Sequence, residues 1–407
     1  MRILYFASVD FYQKPNPSFH LMTTMLHDLL ENGISIEYVG CAIEGVEKHI
    51  PDEFLNNKDF HYQLVELPNT PKSSFAKRYF DGITYARKAK KLIKRVINDC
   101  DIIFVQSSPT VLYNIRAVRS LDKKKTIVYN IQDMFPGSSI ASGVMPNKLM
   151  QSIFYSLQRS AYKNSDIMVV ISEDMKTKLM EQGVPQDKIR VIVNWFDDTS
   201  VHEVSWDENS FVEKYKMEKD KFYIQYAGTM GYVFDYKMVL NVAKLLQKYK
   251  DIEIQMIGEG SQKEAFISEA EVEGIDNIVF LPLEPQNMVS DVYSACSVCF
   301  IPLKKGIIGN SVPSKAGLLM ACKRPIVTTS DEGSDYNDMI NSNNIGFAYS
   351  TDSPDKVAES LVYLKNNPDD ARQMGENGFE FGHDLYSRTS NMNLYLDLFL
   401  ELFERGK

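Results

Sequence analysis

Residues 306–327, GIIGNSVPSKAGLLMACKRPIV, combine two glycines, a Pro-Ser-Lys and a short apolar helix in a pattern suited to holding phosphate. Gly306 and Gly309 make the loop pliable, Asn310 or Ser311 can cap the helix, and Pro313 suits its first turn. Lys315 then sits where a cation opposes the helix dipole. That position makes sense if its ammonium faces an anion shared with the helix start; the alternative is a solvated lysine. A second loop, AGTMGY at 227–232, places Gly228 and Gly231 between a strand and a helix, where glycines let backbone N–H groups approach a ligand. A plain turn reads the same way. The two loops follow different strands of one sheet, so together they can grip the diphosphate of a nucleotide.

Other chemistries find little support. Cys296 and Cys299 form a CxxC, but no second ligand pair lies nearby, so they read as apolar residues opening a buried strand. The six histidines show no HxxxH or HExxH spacing, and no metal site is predicted. Five cysteines do not make a disulfide framework, which points to the cytoplasm. A net charge of −9 disfavours nucleic acid as a partner. The charge is uneven: residues 1–200 carry 25 Lys+Arg and 22 Asp+Glu, the remainder 20 and 32. No run approaches the length of a membrane span, and MRILYFASVD reads as a first strand rather than a signal peptide.

The elements that must position these loops are short apolar strands alternating with amphipathic helices. Strands are expected at 2–8, 35–40, 101–106, 126–131, 166–172 and 189–194, then again at 222–228, 252–258 and in NIVFLPL, VCFIPL and PIVTTS. Near-continuous apolar strands between helices mean parallel sheets covered on both faces. The polar stretch 197–210 reads as a linker between two doubly wound α/β domains. Ligands bind such sheets at the carboxyl ends of strands, so the expected site is a cleft between the domains.

The sequence resembles the retaining glycosyltransferases of family 4, and most of all the bacterial members that build O-antigen, capsule and other surface polysaccharides. The resemblance is carried by SSPTVLY (107–113), NIQDMFPGSSIASGVM (130–145), VVISEDMKTKLMEQGVPQDKIRVIVNWFD (169–197), YAGTMGYVFD (226–235), IGEGSQKEAF (257–266), VPSK (312–315) and KRPIV (323–327), in the family's order. It implies the GT-B fold, two facing Rossmann-like domains. An acceptor-binding domain would span 1–198 plus a terminal helix at about 386–407, and a donor-binding domain 199–385. It implies retaining, metal-independent transfer of a hexose or acetamidohexose from a nucleotide sugar, UDP-linked, to a glycan or polyprenyl-diphosphate-linked acceptor. No cofactor is implied.

By the resemblance, Lys315 and Asp133 are the catalytic candidates. The donor would meet Gly228, Thr229, Met230, Gly231, Gly258, Glu259, Gly309, Asn310, Ser311 and Ser314, with Leu283 and Glu284 at the base. Asp10, Phe11, Tyr12, His20 and Trp195 would line the acceptor side, Trp195 being equally readable as core. The family's Glu-x7-Glu pair falls here on Asn310 and Leu318, and leucine cannot hold a ribose; the candidates to replace it are Asn310 and the run Asp331, Glu332, Ser334 and Asp335 after the next strand, of which Glu332 is favoured, its alternative being an exposed turn residue. The first loop also lacks the glycines of many relatives. Two other readings stand beside this one: a catalytically silent GT-B partner subunit, motivated by the lost glutamates, and a GT-B sugar-nucleotide 2-epimerase, whose acidic and basic groups are not found in place. Finally, residues 75–98 predict a basic amphipathic helix, with Arg87, Lys88, Lys91, Lys94 and Arg95 opposite an apolar face. Such a helix suits the anionic inner face of a cell membrane, or simply a solvated surface.

Overall fold

A computed structural model describes residues 1–7, 17–46, 50–71, 74–311 and 316–406. Asp10, Phe11, Tyr12, Ser314 and Lys315 therefore lie outside the described residues. The chain divides into two compact units. Unit 1 comprises Met1–Gly137, Met145–Val193 and Met392–Lys407; unit 2 comprises Ser138–Val144 and Asn194–Asn391.

Unit 1 is built on a seven-stranded parallel sheet. Its strands are β1 (Arg2–Phe6), β2 (Ser35–Ile43), β3 (Phe60–Leu67), β4 (Ile102–Gln106), β5 (Thr126–Ile131), β6 (Ile167–Val170) and β7 (Ile189–Val191), in the order β3-β2-β1-β4-β5-β6-β7. The central strands are apolar on both faces: RILYF and IIFVQ are buried almost throughout, as helical cover on both sides demands. The terminal helix Arg388–Arg405 contributes its later turns to this unit. Tyr395 and Phe399, both buried, set their rings 6.0 and 5.9 Å from that of Phe104.

Unit 2 holds a six-stranded sheet, all of its pairings parallel. Its strands are β8 (Phe222–Ala227), β9 (Ile252–Ile257), β10 (Ile278–Leu281), β11 (Val298–Pro302), β12 (Ile326–Ser330) and β13 (Gly346–Ser350), in the order β10-β9-β8-β11-β12-β13. In both sheets the order reverses beside the first strand, the switch point at which open α/β sheets bind ligands. The helix Tyr236–Leu246 starts with Asp235 accepting the Met238 amide and buries Met238, Val239, Leu240, Val242, Ala243 and Leu246 against one face. Lys323, just past the helix Ala316–Ala321, has φ +54, where helix ends usually take glycine; Glu376 pairs with its ammonium at 3.0 Å.

Strands β3 and β13 are absent from the sequence expectation. Both are sheet edges. β3 is partly exposed and β13 only five residues long, so neither shows the continuous apolar run of the central strands. Among the described residues no helix is long and apolar enough to cross a membrane.

Candidate donor site of unit 2

The carboxyl ends of β8 and β9 lead into two turns that pack backbone against backbone. Gly228 (φ +148) donates its amide to Ile257 O at 2.8 Å, and Met230 donates to Glu259 O at 2.9 Å. A Cβ on Gly258 would stand 2.1 Å from Gly228 O, and one on Gly260 2.2 Å from Met230 O. Glycine at 258 and 260 is therefore a condition of this close approach. Gly231 meets no such restraint, since its Cβ would reach only Thr229, at 3.5 Å. Met230 is in the core, its side chain fully buried and its amide and carbonyl both bonded, so it can only position its neighbours. The amides of Thr229 and Gly231 make no hydrogen bond among the described residues.

Gln262 ties this turn to the loop after β11. Its Nε2 donates to Gly231 O and to Phe234 O, and its Oε1 accepts from Lys304 Nζ at 3.1 Å. The Lys304 amide donates in turn to Val233 O at 3.0 Å. Lys304 is half-buried, and among the described residues it has no acidic partner. An ammonium with spare protons, beside unbonded amides at the end of a parallel strand, is a place for an anion.

The loop 303–311 is shaped by Asp331. One carboxylate oxygen accepts the Gly306 amide at 2.6 Å, the other the Ile308 amide at 3.0 Å. Gly306 (φ +82) and Gly309 (φ +80) take backbone conformations that side chains disfavour. Asn310 is buried; its Nδ2 donates to Gly306 O, while its Oδ1 is buried without a partner. The amides of Asn310 and Ser311 are both taken by Ile307 O. Leu318 is half-buried against the apolar cluster of Leu319 and Met320. Glu332 is exposed at the carboxyl end of β12, next to Asp331.

The other sequence candidates fall as follows. Leu283 is exposed. Burial pushes the Glu284 carboxyl up, but hydrogen bonds from Lys214 (2.7 Å) and Tyr215 outweigh it and hold the pKa below its ordinary value. With that side chain engaged, only backbone groups of Glu284 are available to a base. The Glu259 carboxylate accepts from Lys263 Nζ at 2.7 Å, and the same ammonium bonds Gly258 O at 2.8 Å. Trp195 is buried in unit 2. In unit 1, Asp133 follows β5 and is exposed, and His20 is half-buried in the helix Pro17–Glu31. Among the described residues no group of three His, Cys, Asp or Glu could hold a metal ion. Cys296 and Cys299 are buried thiols 3.3 Å apart.

Gln262 and Lys304 were not among the sequence candidates; Asp331 was, but as one of the residues offered to the ribose and not as the group that shapes this loop. The Lys-Lys pair one residue after strand VCFIP was the one available signal for Lys304. Gln262 and Asp331 act through contacts across 28 or 31 and 23 or 25 residues, which no local pattern displays.

Two facts of similarity complete the picture. Residues 22–200 match the family model described as Glycosyltransferase Family 4, and residues 207–381 match the one described as Glycosyl transferases group 1. Between them the models cover most of the chain, whose two parallel sheets of seven and six strands have the GT-B architecture. Among curated relatives it is 26% identical over 238 residues to a probable glycosyltransferase WbjE of Pseudomonas aeruginosa, covering 57% of this chain and 58% of that one. It is 23% identical over 177 residues to a putative colanic acid biosynthesis glycosyl transferase WcaI of Escherichia coli K12, covering 43% of each. The match thus spans about half the length of these two relatives. Among solved structures, HepE of Anabaena in complex with UDP superposes with a TM-score of 0.73 at 11% identity, over 98% of this chain and 100% of that one.

Proposed function

We propose that the chain transfers a sugar, a hexose or acetamidohexose, from a UDP-linked donor to a glycan or polyprenyl-diphosphate-linked acceptor in surface polysaccharide synthesis, with retention and without metal. The observation that carries this reading is the pair of backbone loops at the carboxyl edge of the second sheet, joined through Gln262 and Lys304. Unbonded amides and a half-buried ammonium match the negative charge that develops on a departing nucleoside diphosphate. HepE, a fold neighbour, has been solved with UDP and with UDP-glucose, and the names of WbjE and WcaI point to sugar transfer. In this reading the acceptor meets unit 1 near Asp133 and His20, and Lys315 completes the phosphate grip. The helix Phe75–Val96 brings the protein to the anionic inner face of the membrane, where a lipid-linked acceptor would be held.

The test is donor binding followed by turnover. Thermal shift against a panel of nucleotide sugars should select a UDP-sugar, and transfer to a lipid-linked glycan should persist in chelator. Lys315→Ala should lower kcat by roughly 10²-fold with melting unchanged; full activity in that variant removes its assignment. A second reading, a silent partner subunit, is favoured by one observation: Leu318 packs into the apolar core where the family holds ribose. That reading predicts no response to any nucleotide sugar. Calorimetry of UDP with Glu332→Gln and Leu318→Glu separates a substitute ribose ligand from an unclaimed ribose. A loss in the first variant marks Glu332, and a tenfold or greater gain in the second alone marks a vacant position.

A further inference from the structure

Unit 1 contains a cavity of about 210 Å³ that the proposed transfer does not use. It lies between the end of the helix Lys148–Lys163, the end of the helix Glu173–Glu181 and the turn Gln186–Lys188 that leads into β7. These segments run into the amino ends of β6 and β7, so the cavity is at the opposite edge of the sheet from Asp133. Arg159, Lys163 and Lys188 line it, and no acidic residue does. Among the described residues none of the three cations has an ion-pair partner, although the chain as a whole is acidic, at −9.

That arrangement is mildly unfavourable without a ligand. Arg159 and Lys163 stand four apart on one helix, where like charges repel. Lys188 adds a third positive charge to the same cavity. The Tyr162 ring and Met168 supply apolar wall, while Gln182 Oε1 is buried without a hydrogen-bond partner. A carbonyl oxygen accepts only, so it calls for a hydroxyl or N–H donor. Arginine's fork and two lysines suit the non-bridging oxygens of a phosphate. The volume is too small for a nucleotide sugar and large enough for a phosphate with a compact body.

We infer that this cavity is a second binding site, for a small phosphate ester whose body carries a hydroxyl group, with Arg159, Lys163 and Lys188 on the phosphate and Gln182 on the hydroxyl. The same chemistry occurs in a free sugar phosphate and in a hydroxyl-bearing phospholipid headgroup. The full chain is titrated calorimetrically with glucose 1-phosphate and with inorganic phosphate. It is also sedimented with phosphatidylcholine vesicles with and without phosphatidylglycerol.

The chain should bind in at least one arm: glucose 1-phosphate identifies a free ester, and phosphatidylglycerol vesicles alone, sedimented with Lys88→Glu/Lys91→Glu/Lys94→Glu as the background that silences the basic helix, identify a lipid. Arg159→Gln/Lys163→Gln/Lys188→Gln should weaken the productive arm by roughly tenfold or more. Gln182→Leu should weaken glucose 1-phosphate while leaving inorganic phosphate unchanged. UDP affinity should be the same in all variants, which separates this site from the donor site. Arg159 and Lys163 are exposed, so the single variants Arg159→Gln and Lys163→Gln serve if the triple variant does not fold. The proposal is overturned if wild type binds in no arm, or if the folded variants bind as wild type does.

Discussion

At the scale of single residues, the loops proposed to hold the donor depend on side chains that never need to touch it. Asp331 holds two backbone amides of the loop 303–311, and hydrogen bonds to a charged acceptor contribute about 1.5–3 kcal/mol each. Asp331→Ala should therefore loosen that loop and weaken UDP binding at least tenfold, with Asp331→Asn intermediate; calorimetry against UDP is the check. Asp197 allows a pH test. Burial pushes its carboxyl up, but the Thr199 amide and hydroxyl (3.1 and 2.6 Å) and the Arg388 charge outweigh it and hold its pKa below the ordinary aspartate value. A depressed carboxyl stabilises the fold above the unfolded pKa and loses that contribution as pH falls through the folded pKa. Asp197→Asn should be less stable than wild type by roughly 1 kcal/mol at pH 7, and the difference should close in acid. Denaturant unfolding at both pH values would show it; a gap that persists in acid contradicts the assignment. The glycines were legible as loop formers. That Gly258 and Gly260 serve the packing of one turn on another was not, because their contacts are with Gly228 and Met230, some 30 residues away.

At the scale of elements, the helix Phe75–Val96 shows what periodicity conveys and what it omits. Its basic face is exposed as expected, at Arg87, Lys88, Lys91, Lys94 and Arg95. The sequence expects an apolar face of Tyr79, Ile83, Ala86, Ala89, Ile93 and Val96; the buried face also includes Tyr85, whose hydroxyl donates to Val39 O at 3.0 Å and also to Ala7 O. Gly82 does not interrupt the helix. A Cβ there would meet the Thr110 side chain at 2.4 Å, so the residue is small because another segment crosses it. Central strands were legible because burial on both faces leaves an apolar run; edge strands β3 and β13 were not, because half their surface stays polar or open. If the basic face meets anionic lipid, each cation adds about 1 kcal/mol. Lys88→Glu/Lys91→Glu/Lys94→Glu should then abolish salt-sensitive sedimentation with phosphatidylglycerol vesicles. Wild type that never sediments with them would make the face a solvated one.

At the scale of the whole molecule, unit 1 is assembled from three stretches of chain and unit 2 from two. The sequence announces two α/β halves through the restart of strands at Phe222, but not the short excursion Ser138–Val144 into unit 2. Tyr395, Leu398, Phe399 and Leu402 are all buried in unit 1. At about 1.5–3 kcal/mol each, their burial rivals the 5–15 kcal/mol that stabilises a typical domain. A chain ending at Asn391 should lose the cooperative unfolding transition of unit 1 and bind a hydrophobic dye, while unit 2 keeps its own transition; scanning calorimetry would separate the two. The same returning helix sets an order of events during synthesis. Phe104 leaves the ribosome early, yet the residues that cover it follow some 290 positions later, roughly 15–60 s at ordinary elongation rates. The first unit begun is thus the last completed, and for that interval its uncovered sheet face is a target for chaperones.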